Sequence, residues 1–235
     1  EEDELLNYDI LYNLKMQIIQ DSIFGADIQP IAVQICKLRF FISLICEQPK
    51  SGNTENNYGY NPLPNLETKF VAANTLIGLA KIDINKESFD LFRTDEISNK
   101  QKELQKIRHD HFGVKDVNEK IEIRRTDKNL RKELAMLLEK TNVFAPEDVI
   151  QLTFWNPYDQ NAVADFFDAN WMFGIEDGFD IVIGNPPYIS APTQLANKFL
   201  AKQREKIIKS NNYKSLYQKW DLYIPFIELG LNRSE

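Results

Sequence analysis

The chain has 235 residues, 43% of them hydrophobic and 27% charged, with a net charge of −7. That is the balance of an ordinary globular protein, long enough for one large domain or one domain carrying an insertion. No apolar run approaches the roughly eighteen residues of a membrane-spanning helix, and no basic-then-apolar leader opens the chain, so the expectation is a cytoplasmic protein with no membrane partner. Cys36 and Cys46 are the only cysteines and lie in an apolar stretch; they are expected to be reduced, buried packing residues.

In chain order, Glu1-Glu2-Asp3-Glu4 leads directly into Leu5, Leu6, Ile10, Leu11, Leu14, Ile18 and Ile19. Their helical spacing predicts an amphipathic helix over 4–20. The abrupt start, without an initiator methionine, suggests a piece of a longer protein. "SIFGADI", 22–28, predicts a short strand ending on Asp27, and Pro30 suits the first turn of the next helix. "IAVQICKLRFFISLIC", 31–46, is apolar nearly all round, which predicts a helix buried against a sheet. Residues 49–65, dense in Asn, Gly and Pro, predict a loop, and 68–78 a second strand with its following turn.

Residues 98–142 predict long helices with only Gly113 as an interior breaker. Within them, 100–140 hold 12 Lys/Arg and 8 Asp/Glu in an otherwise acidic chain. Such a segment is either a nucleic-acid footprint or a solvated face of mixed charge. His109 and His111 lie inside it without a Cys or carboxylate cluster of ligand spacing, so both are expected to be solvated and no metal site is expected. "FDIVIG", 179–184, predicts a third strand, and 219–231 a helix starting near Asp221.

Strands alternating with helices predict an α/β fold with a doubly wound, mostly parallel sheet. The division expected is 1–97 and 143–235 as two parts of one core, with 98–142 as a charged helical insertion. Ligands of such sheets bind beyond the carboxyl ends of the strands, a rule that groups Asp27, Asn74 and Asn185.

Asn185-Pro186-Pro187-Tyr188 follows the third predicted strand directly. Each proline denies the α region to the residue before it, so the segment is stiff. Two prolines contribute no N–H donors, which leaves carbonyl oxygens as acceptors. The Asn185 amide adds an acceptor and a donor, and Tyr188 offers a flat face. The set suits a planar ligand with an exocyclic amine, whose two N–H bonds it can accept while the ring stacks.

"FDIVIGNPPYI" resembles the catalytic motif of amino-methyltransferases that use S-adenosylmethionine (AdoMet), especially the adenine-N6 DNA methyltransferases. "IFGADIQPIAVQICKLRFFISL" and "LPNLETKFVAANTLIG" resemble that family's units around the AdoMet ribose and adenine. "WNPYDQNAVADFFDANWMFGIEDGFDIVIGNPPYIS" and "KWDLYIPFIELGL" are most similar to the fused restriction–modification (type IIG) group.

The resemblance implies a partial Rossmann-like AdoMet methyltransferase core acting on double-stranded DNA. It implies Asp27, Ile28 and Asn74 on the AdoMet ribose and adenine, and Asn185 and Pro186 on the target amine. Pro187 stiffens the motif, Tyr188 stacks on the flipped base, and Tyr223 or Phe226 lines the base pocket. None of the nine glycines forms the glycine-rich loop expected before the first helix, so the cofactor site is expected to be incomplete and this piece inactive alone. The same motif also serves enzymes methylating an RNA guanine or a protein glutamine amide. A non-catalytic nucleic-acid-binding module is a further alternative.

Overall fold

The computed structural model describes residues 2–48, 54–79, 95–141, 144–210 and 212–233. Helix α1 (Glu2–Ser22) covers the stretch where helical spacing predicts it. Strand β1 (Gly25–Asp27) leads into α2 (Pro30–Ile45), which has Pro30 in its first turn. β2 (Phe70–Ala72) then pairs with β1 in parallel, with Asp27 beside Ala72. Helix α2 is thus the crossover that a parallel pair requires.

The alternation of side chains along β2 sorts two cores. Phe70 and Ala72 pack with Tyr12 and Ile19 of α1 and Val33 and Leu44 of α2. Val71 and Ala73 pack on the other face with α3 (Asp95–His111), α4 (Val117–Thr141) and α5 (Pro146–Phe154). The sheet is therefore covered by helices on both sides, as its uninterrupted apolar sequence requires. Beyond β2, Ala73 forms a parallel bridge with Ala164.

The charged segment is anchored in this core. Leu130, Leu134 and Leu138 recur every four residues on α4 and join Ile97 and Leu104 of α3 against Val71, Ala73 and Leu152. Between the two helices, Asp127 is fully buried and accepts from Arg108 Nε (2.7 Å) and Arg131 Nε (2.5 Å). Arg131 also donates to the Trp155 carbonyl, tying α4 to the end of α5.

Helix α6 (Ala169–Phe173) is capped by Asp168, which accepts from the Trp171 N–H (2.7 Å), and it ends on Gly174 at φ 76°. A third apolar cluster joins Leu76 to Ile207 of α8 (Lys198–Lys209) and to Tyr213, Trp220 and Leu222 before α9 (Tyr223–Arg233). The short α7 (Ala191–Ala196) precedes α8.

Five expectations change. Of the apolar residues whose spacing predicts α1, Ile10, Leu11, Leu14 and Ile18 are exposed, whereas Ile19 is buried. "FDIVIG" does not form a strand: residues 180–190 are neither strand nor helix, with Ile181 78% and Ile183 92% exposed. An apolar segment becomes a strand only beside a pairing neighbour, and among the described residues the sheet has two strands, β1 and β2. The same narrow sheet leaves α2 half covered. Val33, Lys37 and Leu44 are buried, whereas Ile31, Ile35, Leu38 and Ile42 are exposed.

Cys46 is exposed and Cys36 half-buried, both as free thiols, because Cys46 lies at the helix end beyond the packed face. His111 is fully buried, whereas His109 is solvated. The final turn of α3 runs beneath Asn65, whose side-chain amide donates to the His111 carbonyl (2.7 Å), and the imidazole packs edge-on to Tyr158.

Candidate functional site

The carboxyl ends of β1 and β2 bring the predicted cofactor residues side by side. Asp27 is exposed, and its Oδ1 accepts the Gln29 N–H (2.8 Å), a local turn that starts α2. Ile28 is also exposed. The Ala73 N–H donates to the Asp27 carbonyl (2.9 Å), which fixes Asn74 one residue beyond that contact. Asn74 is buried: its N–H donates to the Ala164 carbonyl and its Oδ1 accepts from the Leu76 N–H (3.3 Å).

The residues just before Asn185 face the sheet across a cleft. A cleft of about 170 Å³ is lined by Ala26, Thr75, Ile183, Gly184 and Phe226. Gly184 therefore shares a wall with Thr75, the residue after Asn74. Phe226 packs so closely on Gly184 that a Cβ there would lie 2.8 Å from its ring. Asn185 is exposed, Pro186 and Pro187 are half-buried, and Tyr188 is 84% exposed. The motif stands open to solvent.

Its back is held firmly. The Ile189 carbonyl accepts from the Leu222 N–H (3.0 Å) and from Gln194 Nε2 (3.3 Å). Asp221 Oδ1 accepts the Ala191 N–H at the start of α7 (2.7 Å). Arg204 donates to Gln194 Oε1 (3.0 Å) and the Trp220 carbonyl (2.9 Å), with its guanidinium 3.7 Å over the Trp220 ring. The segment at 219–231 thus braces the residues just after Tyr188.

Sequence reasoning marked that segment as supporting, but it missed Gln194 and Arg204. Nothing in their sequence surroundings sets them apart from ordinary helix-surface residues. Tyr223 is partly exposed, and Phe226 lines the cleft from behind Gly184.

This arrangement offers a donor-poor corner with an open aromatic face, preceded by a glycine that shares a cleft with Ala26 and Thr75. The model of the Eco57I restriction-modification methylase family matches residues 21–235. The chain belongs to this family.

Among curated proteins, this Eco57I-family chain is 25% identical over 273 residues to a "Putative type II restriction enzyme and methyltransferase" of Methanocaldococcus jannaschii, a match covering 92% of the chain and 21% of that relative. It is 40% identical over 57 residues to a type II methyltransferase of Pseudomonas aeruginosa, covering 24% of the chain and 9% of the relative. The chain therefore spans about a fifth or less of the length of these relatives. No solved structure matches.

Among the described residues, no group of three or more His, Cys, Asp or Glu side chains could hold a metal ion. Nor is any helix there long and apolar enough to cross a membrane.

Proposed function

We propose that the full-length protein carrying this chain is a DNA methyltransferase of a restriction–modification system. In this reading it transfers a methyl group from AdoMet to the N6 amine of an adenine flipped out of double-stranded DNA. The observation that supports it is the exposed Asn185–Tyr188 segment, braced from behind, in a chain of a restriction-modification methylase family.

The residues present fit the ribose and adenine parts of AdoMet. Asp27 spends one carboxylate oxygen on Gln29 and keeps the other for ribose hydroxyls, while exposed Ile28 offers apolar contact to the adenine. Asn74, fixed by its own backbone contacts, would stand near the adenine edge. When bound, the cofactor supplies an electrophilic methyl on its sulfonium.

The remaining steps belong to the protein's own groups. Flipping the base costs a few kcal/mol, and stacking on Tyr188 returns about 1–3 kcal/mol of it. The Asn185 side-chain oxygen and the Pro186 carbonyl accept the two amine N–H bonds. That favours the pyramidal nitrogen whose lone pair is free to attack. Positioning and preorganised acceptors carry the rate, and the mechanism has no covalent enzyme intermediate.

Radiolabelled methyl transfer by the full-length protein, compared across duplex DNA, RNA and a protein carrying a glutamine acceptor, tests the substrate class. Label in DNA alone is the expected result; label in RNA or protein with none in DNA would refute the reading.

A further inference from the structure

A second pocket lies at the opposite, amino end of the sheet. It occupies about 220 Å³ between the end of α1, the turn before β2, the last turn of α3 and α6, and is lined by Gln20, Asp21, Lys69, Gln105, Arg108 and His109. Lys69 directly precedes β2, whereas Asp27 and Asn74 lie beyond the carboxyl ends of the strands. Strands of three residues separate the two sites by about 10 Å.

The cations of this pocket are only partly neutralised. Lys69 is 6% exposed, and its ammonium lies 3.9 Å from the centroid of the Phe24 ring. Among the described residues it forms no ion pair and no side-chain hydrogen bond. Arg108, also 6% exposed, donates to Asp127 and to the Trp171 carbonyl, while its Nη2 is buried without a partner. Asp127 is shared with Arg131, so that buried triad retains one positive charge.

The acceptors nearby are partly engaged. Asp21 on the rim is half-exposed, lies 3.3 Å from His109 and is a partial counter-charge to Lys69, while Glu67, two residues before Lys69, pairs with Arg124 through Oε1 (3.4 Å) and keeps Oε2 buried without a partner. The last carbonyls of α3 would repel an anion if bare. Instead Arg108 O accepts from Thr68 Oγ1, His109 O from the Phe112 N–H and His111 O from Asn65 Nδ2. A buried ammonium and a buried guanidinium N–H facing so few free acceptors are costly unless an acceptor enters.

The geometry points to an oxyanion site for a phosphate group, bound by Lys69 Nζ with the Arg108 guanidinium behind it. This site is separate from the methyl-transfer edge. Burial pushes the Lys69 ammonium down to about 8, partly opposed by Asp21. Binding therefore weakens as pH rises through that value, by roughly thirtyfold at pH 9.5 if the neutral amine does not bind.

Equilibrium dialysis of the full-length protein against radiolabelled orthophosphate, at constant ionic strength and pH 7, is the first arm. The second is the salt dependence of duplex DNA binding. A free-phosphate site is supported by one equivalent bound to wild type and to Lys69→Arg, with at least tenfold weaker binding to Lys69→Met. A backbone-phosphate site is supported when free orthophosphate does not bind but Lys69→Met lowers the salt slope by about 1 and Lys69→Arg restores it.

Binding equal in wild type and Lys69→Met, or no orthophosphate binding with an unchanged slope, overturns the proposal. Should Lys69→Met not fold, acetylation of Lys69 in the wild-type protein decides. Protection by orthophosphate or duplex DNA supports the site, and no protection by either overturns it. The orthophosphate arm is independent of methyl transfer, so its failure leaves that reading untouched.

Discussion

Replacing Asp127 with alanine should remove the keystone between α3, α4 and the end of α5. Asp127 is fully buried and receives Arg108 Nε at 2.7 Å, Arg131 Nε at 2.5 Å and the Tyr158 hydroxyl at 3.4 Å, with the arginine side chains 7% and 4% exposed. The weak energetics of surface pairs do not apply here. Truncating one partner strands two guanidiniums in the interior, a loss of about 3–5 kcal/mol from a total of about 5–15 kcal/mol.

Urea denaturation of the chain should show the midpoint falling by about 2 M, for a slope of roughly 2 kcal/mol per molar. The pH dependence has a definite sign. Burial alone would raise the Asp127 carboxyl, but the Arg108 and Arg131 guanidiniums together outweigh it and hold it below its ordinary value. Its stabilisation is therefore complete above about pH 3.9, the unfolded value, and is lost as pH falls through the lower folded value. The alanine variant should lack that acid-dependent component. A loss below about 1 kcal/mol, or an unchanged acid profile, would refute the reasoning that this carboxylate neutralises two buried cations.

Gly184→Ala should force the Phe226 ring to move, because the added carbon would lie 2.8 Å from it; a melting temperature lowered by the equivalent of about 1–3 kcal/mol, with reduced methyl transfer, is expected. His111→Leu should flatten the stability profile below neutrality. Burial pushes the imidazole pKa down and neither ring nitrogen has a partner, so wild type loses stability as pH drops below about 6.5; denaturation at pH 5 and pH 7.5 measures the difference. Tyr188→Ala should leave the melting temperature unchanged, since the side chain is 84% exposed. Its methylation efficiency should fall by about 5- to 150-fold, the equivalent of 1–3 kcal/mol of stacking, with Tyr188→Phe retaining most activity.

The local elements were legible because their signals are local. The apolar spacing of α1, Pro30 at the start of α2, Gly113 between α3 and α4, and the alternation through Phe70–Ala73 all act within a few residues. The apolar run at 179–184 was misleading because strand formation depends on a neighbour, not on composition alone. Ile181 and Ile183 remain exposed where a wider sheet would have covered them.

His111 was misjudged for the converse reason. Its helix is charged overall, yet Asn65 and Tyr158, distant in sequence, close over the one turn it occupies. The stiffness of Asn185–Tyr188 is a local signal too, because prolines restrict the backbone in any fold. The Arg204–Gln194 brace and the Lys69 pocket were invisible, because each is assembled from residues that only tertiary packing brings together.

The central claim is that the Asn185 corner accepts both hydrogens of an aromatic amine. Nucleoside mass spectrometry of duplex DNA incubated with AdoMet and the full-length protein, wild type or Asn185→Ala, tests it most directly. N6-methyladenine is expected from wild type and none above background from Asn185→Ala, with DNA binding preserved. Undiminished N6-methyladenine from the variant, or a wild-type product on a ring carbon instead of an exocyclic amine, would contradict it.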